Sequence, residues 1–126
     1  MKLAMIANEG FHNALSKLLA EPLPLRTAFK LKGISKAVQD EFAKYEEVRQ
    51  AALKKHGLKK KDGSLKLDER QNVMFNDDGM KAFSAEVADL TAMDVSVPTV
   101  KLSELGDNIK LTVVEIGLLD GVIVED

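Results

Sequence analysis

Between residues 25 and 56 the apolar side chains recur as they would on one face of a helix. Leu31, Ile34, Val38, Phe42, Tyr45, Val48 and Ala52 are separated by 3, 4, 4, 3, 3 and 4 positions, a single unbroken stripe. The opposite face is charged, with pairs such as Asp40 and Lys44 four residues apart. Lys54, Lys55 and His56 give the basic last turn, and Gly57 the terminal glycine, of a helix end. The spacing therefore predicts a helix over 25–56. Gly33 is its weak point: Ser35 follows as a capping residue, which leaves open whether the helix continues through Gly33 or breaks or kinks there.

Shorter patterns flank this stripe. Phe11, Leu15, Leu18 and Leu19 predict a first helix from Asn8 to Ala20, and Pro22 and Pro24 then turn a corner into the long one. Asp62-Gly63 marks a turn, and Leu65 and Leu67 alternate with polar residues as a short strand would. Residues 68–76 read as loop. Met80, Phe83, Val87 and Leu90 predict a third helix, capped by Asp77 or Asp78 and reaching about Met93. Residues 94–102 alternate through Val95, Val97, Val100 and Leu102 and read as an edge strand, because Pro98 cannot serve a central ladder. A short strand is expected at 109–111. The tail supports two readings: its β-branched residues suit strands over 113–124, whereas Thr112 with Glu115 matches a capping box that opens a helix at Val113, the reading preferred here.

The expected fold is α+β and helix-dominated: a long helical hairpin and a third helix packed on a small antiparallel sheet. Residues 1–126 are read as one domain with three stretches. Residues 1–57 are helical and basic, 58–76 hold turns and a strand, and 77–126 hold a helix, strands and an acidic tail.

Length sharpens this picture. Thirty-odd helical residues span roughly 45–50 Å, whereas a globule of this size is only about 35–40 Å across. The helix is thus expected to project from its own domain or to pack on another copy. The reading is a homo-oligomer, with Tyr45, Val48 and Ala52 as contacts.

Charge is divided along the chain. Residues 1–66 carry fourteen Lys/Arg against seven Asp/Glu, and residues 67–126 carry four against thirteen. Such asymmetry implies that the halves face each other, within the fold or across an oligomer, or that the basic half meets a polyanion. Lys54, Lys55, Lys59, Lys60 and Lys61 are the one concentrated cationic feature and a candidate anion or nucleotide site.

Candidate chemistry is otherwise thin. There is no cysteine, which excludes disulfides and thiolate chemistry, and the only histidines are His12 and His56. His12 lies beside an apolar helix face, and His56 suits the negative end of a helix dipole. Asn76-Asp77-Asp78-Gly79 begins like a calcium loop but lacks the later ligands, and capping explains it better. No hydrolase elbow or phosphate-cradling glycine loop is present. No enzyme activity, metal or cofactor is expected. With no secretory signal and no run approaching about 20 apolar residues, the expected location is the cytoplasm, with no membrane partner.

The order of these features resembles small proteins encoded by bacteriophages and prophages, over most of the chain. The segments that carry the likeness are Leu23-Pro24 with the helix after it, Tyr45-Glu46-Glu47-Val48-Arg49, and Pro98-Thr99-Val100-Lys101-Leu102. The resemblance implies a viral origin, a host-cell cytoplasmic location and a fold, and it carries over no catalytic residues. The function it suggests is that of a non-enzymatic accessory protein acting on a phage or host protein partner. The alternative is a nucleotide- or nucleic-acid-binding protein that uses Lys54–Lys61.

Overall fold

The computed structural model describes residues 1–126. Its axis is α3, Leu25–His56, which runs unbroken through Gly33. Gly33 is exposed on the helix surface, where no neighbour competes for its backbone, so its entropic cost alone does not break the helix. Thr27, Leu31, Ile34, Val38, Tyr45 and Ala52 are buried along one side.

Two helices precede α3. The second, α2 (Glu9–Leu19), begins as expected at Asn8, whose side chain accepts a hydrogen bond from Gly10 N at 2.7 Å. Before it stands a one-turn helix, α1 (Leu3–Ile6), too short to show a period in the sequence, which buries Leu3 and Ile6.

After α3, residues 58–76 fold into a meander. Leu58 N donates to Met74 O and Lys66 N to Leu58 O, both at 2.8 Å. Antiparallel bridges pair Lys59 with Leu65 and Leu67 with Val73, so residues 68–76, read as loop, return along the chain before them. Gly57 is needed here for space and not for a left-handed backbone. A Cβ at that position would lie 2.6 Å from Val73 Cγ1 and 2.7 Å from Leu53 O.

The third expected helix is α4 (Asp77–Thr91), and its cap is Asn76 in place of Asp77 or Asp78. Asn76 Oδ1 accepts from Gly79 N at 2.6 Å, which leaves both aspartates in the first turn, where the helix dipole favours them. α4 runs back along α3, with Glu86 beside Lys55 and with Val87 and Leu90 facing Val48 and Ala52 across a groove.

The antiparallel sheet is not what forms. The single sheet is a parallel pair, β1 (Val100–Lys101) with β2 (Ile123–Val124), in the register Val100 to Ile123 and Lys101 to Val124. Parallel strands need a crossover. Here it consists of a 3-10 turn (Leu102–Leu105), an irregular stretch and α5 (Val113–Leu118). The edge strand expected over 94–102 therefore shrinks to two residues. Residues 109–111 form no strand, and Ile109 and Leu111 pack half-buried against the core from the irregular stretch. The capping box is present: Glu115 N donates to Thr112 Oγ1 at 3.1 Å, and Thr112 N to Glu115 Oε1 at 3.0 Å.

The core is lopsided. Of seventeen buried residues, sixteen belong to the head formed by α1, α2, the first two-thirds of α3, the parallel pair and the residues that flank it. From residue 46 to residue 99 only Ala52 is buried. The far end of α3, the meander and α4 thus form an arm with half-covered apolar side chains and no closed core of their own.

Candidate functional site

Four ion pairs span the charge division inside the fold. Lys2–Asp94 at 3.1 Å, Lys17–Glu115 at 2.8 Å, Lys30–Glu104 at 2.5 Å and Lys55–Glu86 at 3.2 Å each join the basic half to the acidic half. Exposed pairs of this kind stabilise little individually. Their combined effect is to fix which acidic segment lies on which part of the helical frame.

Of the five lysines in the basic cluster, Lys55 is engaged with Glu86, whereas Lys54, Lys59, Lys60 and Lys61 are exposed and make no ion pair. Lys59–Lys61 sit on the first turn of the meander, closed by Lys60 N donating to Ser64 O at 2.7 Å and by Gly63 at φ +88°. Asp62 lies among them and accepts from Ser64 Oγ at 2.6 Å and Ser64 N at 2.9 Å. The Ser64 hydroxyl, then its amide, holds the Asp62 carboxyl below the usual range, so this carboxylate stays charged inside the cationic turn.

His56 is half-buried at the end of α3, with Nε2 3.1 Å from Glu86 Oε1 and no aligned hydrogen bond. The His56 ring and then the Lys55 ammonium draw the Glu86 carboxyl below the usual carboxylate range. His12 has a structural setting. Its Nε2 lies 2.5 Å from Ile6 O, and its ring stands edge-on to Phe11 and Phe42, with centroids at 5.6 and 4.9 Å. The His56 ring thus has one titratable neighbour, Glu86, whereas the His12 ring meets a backbone carbonyl. No group of three or more His, Asp or Glu side chains is placed to hold a metal.

The expected contact residues separate. Tyr45 and Ala52 are each only 9% exposed, covered for the most part by the chain itself. The helix turns them inward because they continue the line of Leu31, Ile34 and Val38. Val48 is 51% exposed and lines, with Arg49, Ala51, Ala52, Lys55 and α4 residues, a groove of about 190 Å3. The i,i+3 fork of Arg49 on Glu46, at 3.0 and 3.2 Å, holds one wall of this groove in place.

A larger opening was not foreseen from the sequence. Leu53, Leu65, Leu67, Val73, Phe75 and Phe83 line a cleft of about 510 Å3 between α3, the meander and α4. Phe75 and Phe83 pack at 5.1 Å with an interplanar angle of 32°. Its lining joins Leu65 and Leu67, read as a short strand, to Val73 and Phe75, which repeat the same two-residue spacing inside residues 68–76, read as loop. Leu67, which lines the cleft, and Met74 and Met80 elsewhere on the arm are exposed apolar side chains.

Comparison with known proteins finds no match: no family, no curated protein and no solved structure among those compared is similar to this chain.

Proposed function

We propose that this chain is a non-enzymatic accessory protein that works through protein–protein contact, as a homo-oligomer whose contact surface is the arm. The observation that carries the reading is the single buried residue between positions 46 and 99, in a segment rich in half-covered apolar side chains. A second copy would cover Val48, Leu67, Met74 and Met80. Charge supports the same choice. Exposed Lys54 and Lys59–Lys61 share the arm with exposed Asp77, Asp78 and Asp89, so a two-fold pairing sets the lysines of one copy against the carboxylates of the other. A phage origin and action in the host cytoplasm rest on the likeness in element order and belong to this proposal.

Light scattering behind size exclusion at micromolar concentration tests it. A dimer that Val48→Asp and Met80→Lys convert to monomer is the expected result. A compact monomer across the concentration range would sink the reading.

The second reading, capture of a nucleotide or nucleic acid, draws on the four lysines that have no acidic partner. It requires an oligonucleotide affinity that falls steeply with salt and is lost on charge reversal of Lys59–Lys61.

A further inference from the structure

The opposite end of α3 carries an unpartnered face of different character. At about 100° per residue, Thr27, Leu31, Ile34 and Val38 turn into the core, and Leu25, Phe29, Lys32 and Lys36 turn directly away from it. Leu25 is 89% and Phe29 79% exposed. The helix already has its buried stripe, so packing of the head needs neither side chain. Residues 22–39 contain four cations, Arg26, Lys30, Lys32 and Lys36, and no acid; Lys30 alone is paired, to Glu104. Beside Phe29 along the helix, Leu19, Lys32, Ser35, Lys36 and Gln39 line a shallow depression of about 390 Å3.

We propose that this face docks on an anionic lipid surface. Leu25 and Phe29 enter the headgroup layer, and Lys32 and Lys36, flanked by Arg26, meet lipid phosphates. Three aspects of the surface favour that occupant. Its free cations, Arg26, Lys32 and Lys36, outnumber the exposed carboxylate of Asp40 one turn beyond Lys36, an excess complementary to an anionic leaflet. Its apolar side chains lie among the cations, as on helices that rest in an interface. At such exposure, Leu25 and Phe29 stand out from the helix, which a bilayer accommodates and a folded partner accepts only with a matching cavity. Among nearby acids, Glu104 is neutralised by Lys30, and Asp107 follows Gly106, which lies against the Pro24 ring at the edge of the face. No helix is long and apolar enough to cross a membrane. The sequence-based expectation of no membrane partner rested on that absence, and peripheral docking needs no span.

The test is co-sedimentation of the full chain with vesicles of phosphatidylcholine containing about one-third phosphatidylglycerol, against pure phosphatidylcholine, at low and high salt. Binding to the anionic vesicles is expected to weaken at least tenfold with Phe29→Ser, and about fivefold for each of Lys32→Glu and Lys36→Glu. Lys59→Glu with Lys60→Glu should leave it unchanged. Phe29 is exposed, so its variant should retain the wild-type thermal melt. The proposal is overturned by absence of binding at low salt, by equal binding to neutral vesicles, or by dependence on Lys59 and Lys60. Dispersal of an oligomer by Phe29→Ser without vesicle binding would also overturn it, assigning the face to a second copy.

Discussion

The Lys30 ammonium lies 2.5 Å from the Glu104 carboxylate, joining the first turns of α3 to the 3-10 turn seventy-four residues later. One turn earlier on α3, Thr27 Oγ1 donates to the Glu104 carbonyl, also at 2.5 Å. Thr27 is the only polar residue among the buried set. A single residue of the crossover is thus held through both its backbone and its side chain.

Replacing Thr27 by valine keeps the shape and leaves the Glu104 carbonyl without its donor. We expect a loss of about 1–3 kcal/mol in urea unfolding, whereas Thr27→Ser should recover most of it. A loss in Thr27→Ser with none in Thr27→Val would show that the methyl contact matters and the hydrogen bond does not.

Acid should destabilise the protein through a defined set of carboxylates. Arg49 depresses Glu46, His56 and then Lys55 depress Glu86, Lys30 depresses Glu104, and Lys17 depresses Glu115. A group whose folded value lies below its unfolded one contributes stability above the unfolded value and loses it as pH falls through the folded one. Denaturant midpoints should therefore be insensitive to these groups from about pH 7 to 5 and decline below about pH 4.5. Glu104→Gln should make that decline shallower, an effect that high salt diminishes.

The glycine inside α3 and the glycine that caps its end should respond in opposite directions to alanine. Gly33 is exposed and nothing lies within 4 Å of an added Cβ, so Gly33→Ala should raise stability by roughly 0.5–1 kcal/mol. Gly57 abuts Val73, Leu53 and Leu65, so Gly57→Ala should lower it by about 1–3 kcal/mol. Thermal melts of the two variants, run side by side, check both signs.

Gln71 is the one non-glycine residue with a positive φ, +65°. It closes a turn in which Asp68 Oδ1 accepts from Arg70 N at 2.8 Å and from Asn72 N at 2.9 Å. A left-handed conformation costs a side-chain-bearing residue roughly 1–2 kcal/mol. Gln71→Gly should recover part of that, and an unchanged or lower melting temperature would show that the turn tolerates Gln71 without strain.

The long stripe and the capping signals were legible in the sequence because each is local. Both ends of α3 fall where Pro24 and Gly57 place them, and Thr112 and Glu115 form their box as read. The sheet was not legible. β1 and β2 are two residues each, so neither shows a period, and the pairing of Val100 with Ile123 depends on where α5 returns the chain. Tyr45 and Ala52 show the limit of reading a stripe: periodicity identifies the apolar face but does not say whether the same chain or another covers it. The cleft around Phe75 and Phe83 was hidden for the same reason, since its lining comes from three separate segments.

The lopsided core also bears on how this molecule can change over generations. Most positions intolerant of volume change lie in the head, where sixteen side chains are enclosed. Along the arm, few substitutions disturb enclosed packing, so a drifting lineage can recolour that surface while the head keeps the chain folded. Such a division lets recognition diverge faster than architecture.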